Sequence, residues 1–336
     1  MVNQIPMPSR PSLIIISGPT CVGKTDVAIA LAEPLGAEII SADAMQVYRY
    51  MDIGTAKPTE QQRTQVRHHL IDVVYPDEPF SAARFKTMAE VVIGDLHQKE
   101  RPMFVVGGTG LYIKALTRGL FPGQEQVNTP TLPSPLKGEG LGGGDRLVRK
   151  RLRREAETLG LEALYRRLQK VDPVAAARIH PNDAYRIMRA LEVYHVTGRP
   201  ISHHHKTHGF RDVGYRTLKI GLTSDRNILY DRIDRRVDLM LASGLLEEVK
   251  WLLDQGYPST LKSMRSIGYR HMADYLEGHT PWDETVHLFK RDTRRYAKRQ
   301  LTWFRADPEI LWVQPGQADH MRRKIDSFLT ERCGGP

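Results

Sequence analysis

Cysteine is nearly absent from this chain of 336 residues: Cys21 and Cys333 are the only two, too few for a disulfide framework or a cysteine-built metal site. Long apolar runs are missing too. The strongest, Leu13-Ile14-Ile15-Ile16, suits a buried strand and falls far short of the ~18 residues of a membrane helix. The opening residues, MVNQIPMPSRPS, carry neither the apolar stretch nor the cleavage site of a secretory signal. These absences set aside secreted disulfide scaffolds, cysteine zinc modules and membrane spans, and a cytoplasmic protein without a membrane partner is expected. Acidic residues are in deficit, with 39 Asp+Glu against 49 Lys+Arg, a formal charge of +10. Such an excess favours a polyanionic partner and says nothing about fold. The hydrophobic fraction of 40% suffices for a real core, and the length for one large domain or two smaller ones.

What is present reads as alternating strands and helices. Residues 12–17 form a buried strand, 25–35 a helix, 38–41 a second strand, 81–99 a helix capped by Ser81, and 103–106 a third strand running into Gly107-Gly108-Thr109-Gly110. Strands separated by helices imply a parallel sheet that binds ligands beyond the strand C-termini. Residues 122–145, rich in Pro and Gly and poor in large apolar side chains, read as a flexible low-complexity insertion. From 147 to 196 the pattern is helical throughout. Residues 201–215 read as a polar, His-rich loop, 218–222 as a returning strand, and 227–242, 245–255, 266–277 and 282–304 as helices, with a short strand at 310–313. The fold class expected is α/β: a P-loop NTPase-like parallel sheet core flanked by helices (1–121 and 200–336), with an inserted all-helical domain (122–199).

Between the first strand and the first helix stand Gly18, Pro19, Thr20, Cys21, Val22, Gly23, Lys24 and Thr25, the pattern GxxxxGK[ST]. Glycines let backbone wrap an anion, amides at the helix start point inward, Lys24 adds a point charge, and Thr25 offers a hydroxyl to Mg²⁺. The loop is expected to bind a phosphate chain, of ATP or of another diphosphate. An ordinary P-loop ATPase would end a further strand in a metal-binding acid. Here the third strand ends in GGTG, and the acid, Asp43, follows the second strand. Binding metal, capping a turn and accepting a proton are all compatible with its place. Arg291, Arg294, Arg295 and Lys298 repeat at i, i+3, i+4, i+7 opposite Phe289, Thr293, Tyr296, Gln300 and Phe304, and from Lys290 to Arg305 only Asp292 opposes seven bases. A surface for phosphate backbone follows. Arg186 and Arg189 lie one turn apart, and a further basic cluster runs from Arg146 to Arg154. His203, His204, His205 and His208 lack the spacing and carboxylate of a metal site.

Taken together the motifs resemble those of the bacterial tRNA dimethylallyltransferases, or tRNA isopentenyltransferases, from about residue 14 to 305. They are GPTCVGKT, ISADAMQVYRYMDIGTAKP at 40–58, HHLID at 68–72, VGGTGLY at 106–112, DPVAAARIHPNDAYRIMRALEVY at 172–194, RSIGYR at 265–270 and KRQLTWFR at 298–305. The resemblance implies transfer of a dimethylallyl group from dimethylallyl diphosphate to the exocyclic amine of the adenosine 3′ of the anticodon, with Mg²⁺ as cofactor and no ATP consumed. By that resemblance Asp43 is the general base, Lys24 and Arg232 (or Arg226) hold the leaving diphosphate with Mg²⁺ at Thr25, and Thr109 and Gln46 meet the target base. Contacts with the tRNA anticodon stem-loop are implied for Asp43, Ala44, Met45 and Gln46, for Thr109 and Arg149, and for Tyr185, Arg186, Ile187, Met188 and Arg189. They extend to Arg265, Ser266, Ile267, Gly268, Tyr269 and Arg270, and to Lys298, Arg299, Gln300, Leu301, Thr302, Trp303, Phe304 and Arg305, beside the periodic Arg291, Arg294 and Arg295. Ala44 stands where many relatives carry Ser, and the zinc finger of the eukaryotic relatives is absent. A monomer is expected. The rival readings are a P-loop kinase of a small metabolite, a prenyltransferase of free adenine nucleotides (an adenylate isopentenyltransferase), and a passive RNA-binding module for which Lys24 and Asp43 would be dispensable.

The insertion gives the first test. Replacing 124–143 by a short loop should leave prenyl transfer to tRNA nearly intact. A large loss of tRNA affinity in that variant would assign the segment a role in binding.

Overall fold

The computed structural model describes residues 10–120, 143–208 and 214–331. The expected insertion at 122–145 lies almost wholly outside them. The chain divides into two compact units: Met1–Phe80, Phe85–Thr117 and Val213–Pro336 form the first, and Ser81–Arg84 with Arg118–Asp212 the second.

The first unit is a six-stranded sheet. Its strands are β1 (Ser12–Ser17), β2 (Glu38–Ser41), β3 (His68–His69), β4 (Met103–Gly107), β5 (Arg216–Leu222) and β6 (Leu311–Val313). Their order is β3-β2-β4-β1-β5-β6, and every pairing is parallel. Register is set along β1, where Ile14 faces Phe104 on one side and Leu218 on the other. All six residues of β1 and all five of β4 are buried, so both faces of the sheet are covered. The helices doing so are α1 (Lys24–Ala32), continued by a 3₁₀ turn at Glu33–Leu35, then α2 (Glu60–Gln65), α3 (Ala82–Gln98) and α4 (Gly110–Arg118). After the second unit come α10 (Arg226–Ala242), α11 (Leu245–Asp254), α12 (Tyr269–Leu276), α13 (Trp282–Arg305) and α14 (Ala318–Thr330). One core layer joins Ile14, Ile16, Phe104, Ile220 and Leu222 of the strands to Ala28, Ile233, Ala297, Met321 and Ile325 of the helices. Beside α4, Tyr112 stacks on Phe85 with ring centroids 4.4 Å apart.

Helix starts follow their caps. Ser81 Oγ accepts the Arg84 amide at 3.2 Å, as its place before an apolar run implies. Thr59 and Gln62 close a reciprocal capping box on α2, a helix too short and polar for its periodicity to show. At the N-terminal edge of the sheet the buried Glu38 carboxylate pairs with His69 (2.6 Å) and Arg101 (2.7 Å). The functional edge is the other one, where the C-termini of β1, β2 and β4 lie side by side.

The second unit packs α5 (Gly143–Leu159), α6 (Leu161–Val171), α7 (Pro173–Ala176), α8 (Ala184–Thr197) and α9 (Ile201–His208). Leu152, Leu164, Leu168, Ile187 and Leu191 give it a hydrophobic core of its own. The expectation of a loop at 201–215 is corrected by α9. Pro200 O accepts the His203 amide at 3.0 Å, and Asp172 Oδ2 accepts the Ser202 amide at 2.9 Å. A capped start thus sustains a helix whose polar sequence offers no apolar stripe. No described helix is long and apolar enough to cross a membrane.

Candidate active site

Three strand ends build the site. β1 delivers the 18–25 loop into α1. Lys24 Nζ arches back to donate to the carbonyls of Gly18 (3.1 Å) and Pro19 (2.7 Å). The amides of the first turn of α1 have no helical acceptors, which suits them to an anion. The Thr25 hydroxyl is half-buried and makes no hydrogen bond among the described residues, so it is free to meet a cation.

β2 delivers Asp43. Its Oδ1 accepts the amides of Met45 (2.8 Å) and Gln46 (3.3 Å), which caps the turn and fixes the carboxyl plane. Oδ2 takes no hydrogen bond among the described residues. Capping, one of the three alternatives in the sequence, therefore uses one oxygen of the carboxylate and leaves the other for metal binding or proton acceptance. β4 delivers Thr109, whose amide donates to Ala42 O (3.2 Å) and whose Oγ1 accepts the Ala44 amide (3.0 Å). The hydroxyl proton of Thr109 remains available to a ligand.

Gln300 of α13 ties these pieces together. Its Oε1 accepts the Thr20 amide at 2.8 Å and its Nε2 donates to Gly108 O at 3.0 Å. The approach is so close that a Cβ at residue 108 would stand 2.2 Å from Nε2, so any other residue there would displace the Gln300 amide from its bonds.

Burial and the nearby Arg236 cation lower the Lys24 ammonium to about 8, against the opposing pull of Asp43 and Cys21. Tyr296, on the α13 face turned to the site, has its hydroxyl pushed well above the usual phenol range by burial and then by the Asp43 charge. It stays protonated at neutral pH.

Several expected roles change. The arginine of α10 near the 18–25 loop is Arg236, whose Nη1 lies 4.0 Å from Cys21 Sγ. Arg232, one turn earlier, is exposed and makes no hydrogen bond among the described residues, and Arg226 stacks over Tyr230 at 5.2 Å. Arg236 is not among the arginines expected from the sequence, although it lies i+4 from Arg232 on the same helix. Gln46, expected to meet a base, is committed inside: Nε2 donates to the carbonyls of Thr55 (3.4 Å) and Ala56 (3.2 Å), and Oε1 accepts from Ser41 (2.9 Å). Ile187, Tyr269 and Phe304 are fully or nearly fully buried, because each is an apolar or ring position turned into a core. Ala44, Ser266, Gly268 and Gln300 are buried as well, whereas Met45, Met188, Ile267 and Leu301 are half-buried.

The basic face of α13 is also more neutral than its sequence. Arg294 pairs with Asp234 of α10 (2.9 Å) and Lys290 with Asp238 (2.6 Å). Asp292 gathers Arg270, Arg291 (3.0 Å) and Arg295 (3.6 Å); burial acts to raise its carboxyl, but Arg291 and Arg270 hold it below the usual range. Arg299 lies over the Tyr296 ring at 5.8 Å. Lys298 and Arg305 are exposed without an ion pair among the described residues, and Thr302 and Trp303 are exposed beside them. In the second unit Glu192, buried, holds Arg149 and Arg189 (3.0 Å), while Tyr185 is exposed and Arg186 pairs with Asp183.

Residues 46–307 match the family model described as IPP transferase. A tRNA dimethylallyltransferase of Geobacter metallireducens is 50% identical over 317 residues, 94% of this chain and 97% of that protein. Among solved structures, the full-length tRNA isopentenylpyrophosphate transferase of Bacillus halodurans aligns with a TM-score of 0.67 at 40% identity, covering 96% of this chain and 98% of its own. A eukaryotic dimethylallyltransferase acting on tRNA aligns with a TM-score of 0.75 at 29% identity, covering 96% of this chain and 80% of its own.

The Lys24 environment has a measurable consequence. A bound diphosphate favours the ammonium, so binding must take up a proton wherever free Lys24 has lost one. Affinity for a fully ionised diphosphate ester should be flat up to about pH 8 and fall by up to about tenfold per pH unit above it. Titration calorimetry in buffers of different ionisation enthalpy reads the proton directly, and Lys24→Met should abolish both the uptake and the slope.

Proposed function

The chain belongs to the IPP transferase family, and from that premise we propose that it moves the dimethylallyl group of dimethylallyl diphosphate onto the exocyclic amine of the adenosine beside the anticodon of tRNA. The observation that carries the reading is the pairing of the 18–25 loop on β1 with a carboxylate on β2 that keeps one oxygen free. A P-loop kinase would want an acid at the end of β4, where Gly107, Gly108, Thr109 and Gly110 stand instead.

The step balances simply. The bond from the allylic carbon to the bridging diphosphate oxygen breaks, the adenine nitrogen bonds to that carbon, and the nitrogen proton passes to Asp43 Oδ2. The amine is a weak nucleophile, so a positioned base matters as its proton becomes acidic. The Thr109 hydroxyl, whose oxygen accepts the Ala44 amide and whose proton is unused, is proposed to donate to the base or to the departing oxygens. Diphosphate carries away the electron pair. Backbone amides of α1, Lys24 and Arg236 stabilise it as charge develops there. Mg²⁺ is proposed at Thr25, whose free hydroxyl suits it; when bound, it neutralises part of the diphosphate charge.

A stacked base cannot reach this carboxylate, so the nucleotide must be turned out of the anticodon loop. Cations of α13 and of the helical unit are proposed to grip phosphates, with Lys298 and Arg305 as the ungathered charges. A cytoplasmic monomer suits an enzyme that must meet free tRNA.

Asp43→Asn should separate the two functions of Asp43, since the amide keeps a turn-capping oxygen and loses the base. The single-turnover rate is expected to fall by about 10²–10⁴-fold with tRNA affinity little changed. A rate within a few-fold of wild type would remove Asp43 as the base. The salt series makes a second test. Replacing Lys298 and Arg305 by alanine should lower the log–log salt slope of tRNA binding by up to about two units. Arg294→Ala should lower it less, because Asp234 already neutralises that guanidinium.

A further inference from the structure

Glu248, on α11, stands in none of the motifs described above, yet its carboxylate is densely bonded. Oε2 accepts the amides of Asp52 (3.0 Å) and Ile53 (2.9 Å), and Oε1 accepts the amide of Gly54 (3.3 Å) and the Tyr269 hydroxyl (2.5 Å). Three successive amides around one anion form a backbone nest. Tyr269 opens α12 and belongs to the 265–270 segment. Its ring lies against Gly54 so closely that a Cβ there would stand 2.4 Å from it.

From this nest a continuous chain of bonds leads to the acid. The next two carbonyls, Thr55 and Ala56, accept from the Gln46 amide, and the Gln46 and Met45 backbone amides hold Asp43 Oδ1. Glu248 is not the loop's only anchor. Lys57, buried, already clamps it through Tyr48 O (2.5 Å), Asp52 (2.6 Å) and Asp72 (2.5 Å). What Glu248 adds is a connection between that clamped loop and the 265–270 segment.

We propose that Glu248 is a positioning residue that couples the seating of residues 265–270 to the orientation of the Asp43 carboxylate. RNA engaging that segment presses Tyr269 onto the nest, and the nest fixes the loop from which Gln46 and Asp43 hang. The inference rests on the proposed reading, in which 265–270 meets tRNA and Asp43 takes the proton. It predicts a specific kinetic defect: binding is retained and the chemical step is slowed. Misplacement of a catalytic group by about 1 Å commonly costs around 10²-fold in rate.

Tyr269→Phe deletes only the hydroxyl link and leaves ring and nest in place; Glu248→Gln keeps the size and removes the charge. At saturating tRNA and dimethylallyl diphosphate, each should slow single-turnover prenyl transfer by about ten- to a hundredfold. Dissociation constants for both substrates should stay within about threefold, and the double variant should be no slower than the slower single one. Glu248→Gln could also weaken the fold, so the Tyr269→Phe rate, with an unchanged thermal midpoint, is the deciding value. A wild-type rate at saturation in Tyr269→Phe would overturn the inference, as would a defect confined to tRNA affinity. Absence of prenyl transfer in the wild type would instead overturn the proposed function, so the two failures are distinguishable.

Discussion

Gln300 commits both ends of its amide within the protein, accepting from Thr20 in the loop after β1 and donating to Gly108 after β4. Neighbouring parallel strands share an edge, but their end loops have no reason to keep a fixed separation. The amide supplies it. Phosphate loop, Thr109 and, through the Ala44 amide, the Asp43 turn are thereby held as one surface. Because both partners are backbone atoms, substitution at Thr20 or Gly108 cannot replace the bridge, and the missing Cβ at Gly108 is what admits it. A long helix thus contributes to the reacting centre without placing a titratable group there.

Charge is distributed around that surface in a way that a net value of +10 conceals. Lys24 and Arg236 crowd the phosphate loop, and their mutual repulsion with burial makes the free site hungry for an anion. Asp43 tempers this without neutralising it. A substrate bearing a diphosphate relieves the repulsion on arrival, and the departing diphosphate meets the same field after the bond has broken. Held in place beforehand, such groups need no reorganisation when charge develops.

Much of this was legible from residues alone. The apolar β1 run, GPTCVGKT and the capping pattern at Ser81 specify local structure through short-range physics, and the parallel sheet follows from their alternation. The site was legible in kind: Lys24, Thr25 and Asp43 lie at the strand ends where spacing put them, and Thr109, given by the family resemblance, lies with them. Roles that depend on where side chains turn were not. Arg232 and Arg236 are equivalent on paper, and only the packing of α10 selects Arg236. Gln46 and Tyr269 sit in motifs suggestive of ligand contact, but their polar atoms are used on Thr55, Ala56 and Glu248. The helical periodicity of α13 was evident, whereas its neutralisation by Asp234 and Asp238 arises from a different helix some sixty residues away in sequence. Polar α2 and α9 lacked the apolar stripe on which helix recognition depends, and caps stabilise them instead.

The arginines gathered on Asp292 carry one more implication, concerning entropy. A free arginine on a helix samples many rotamers and loses them when it grips a phosphate. Arg270, Arg291 and Arg295 are already restrained by a shared carboxylate, so less freedom remains to be lost on binding, and the planar fork of each guanidinium is presented in a set direction. Under the proposed reading, recognition by this cluster would be geometric. An RNA with its phosphates at the right separation would be held by groups that are already aimed, while a polyanion of equal charge and different shape would find little to gain. Shape selectivity of this kind would persist at ionic strengths that erase attraction between diffuse charges.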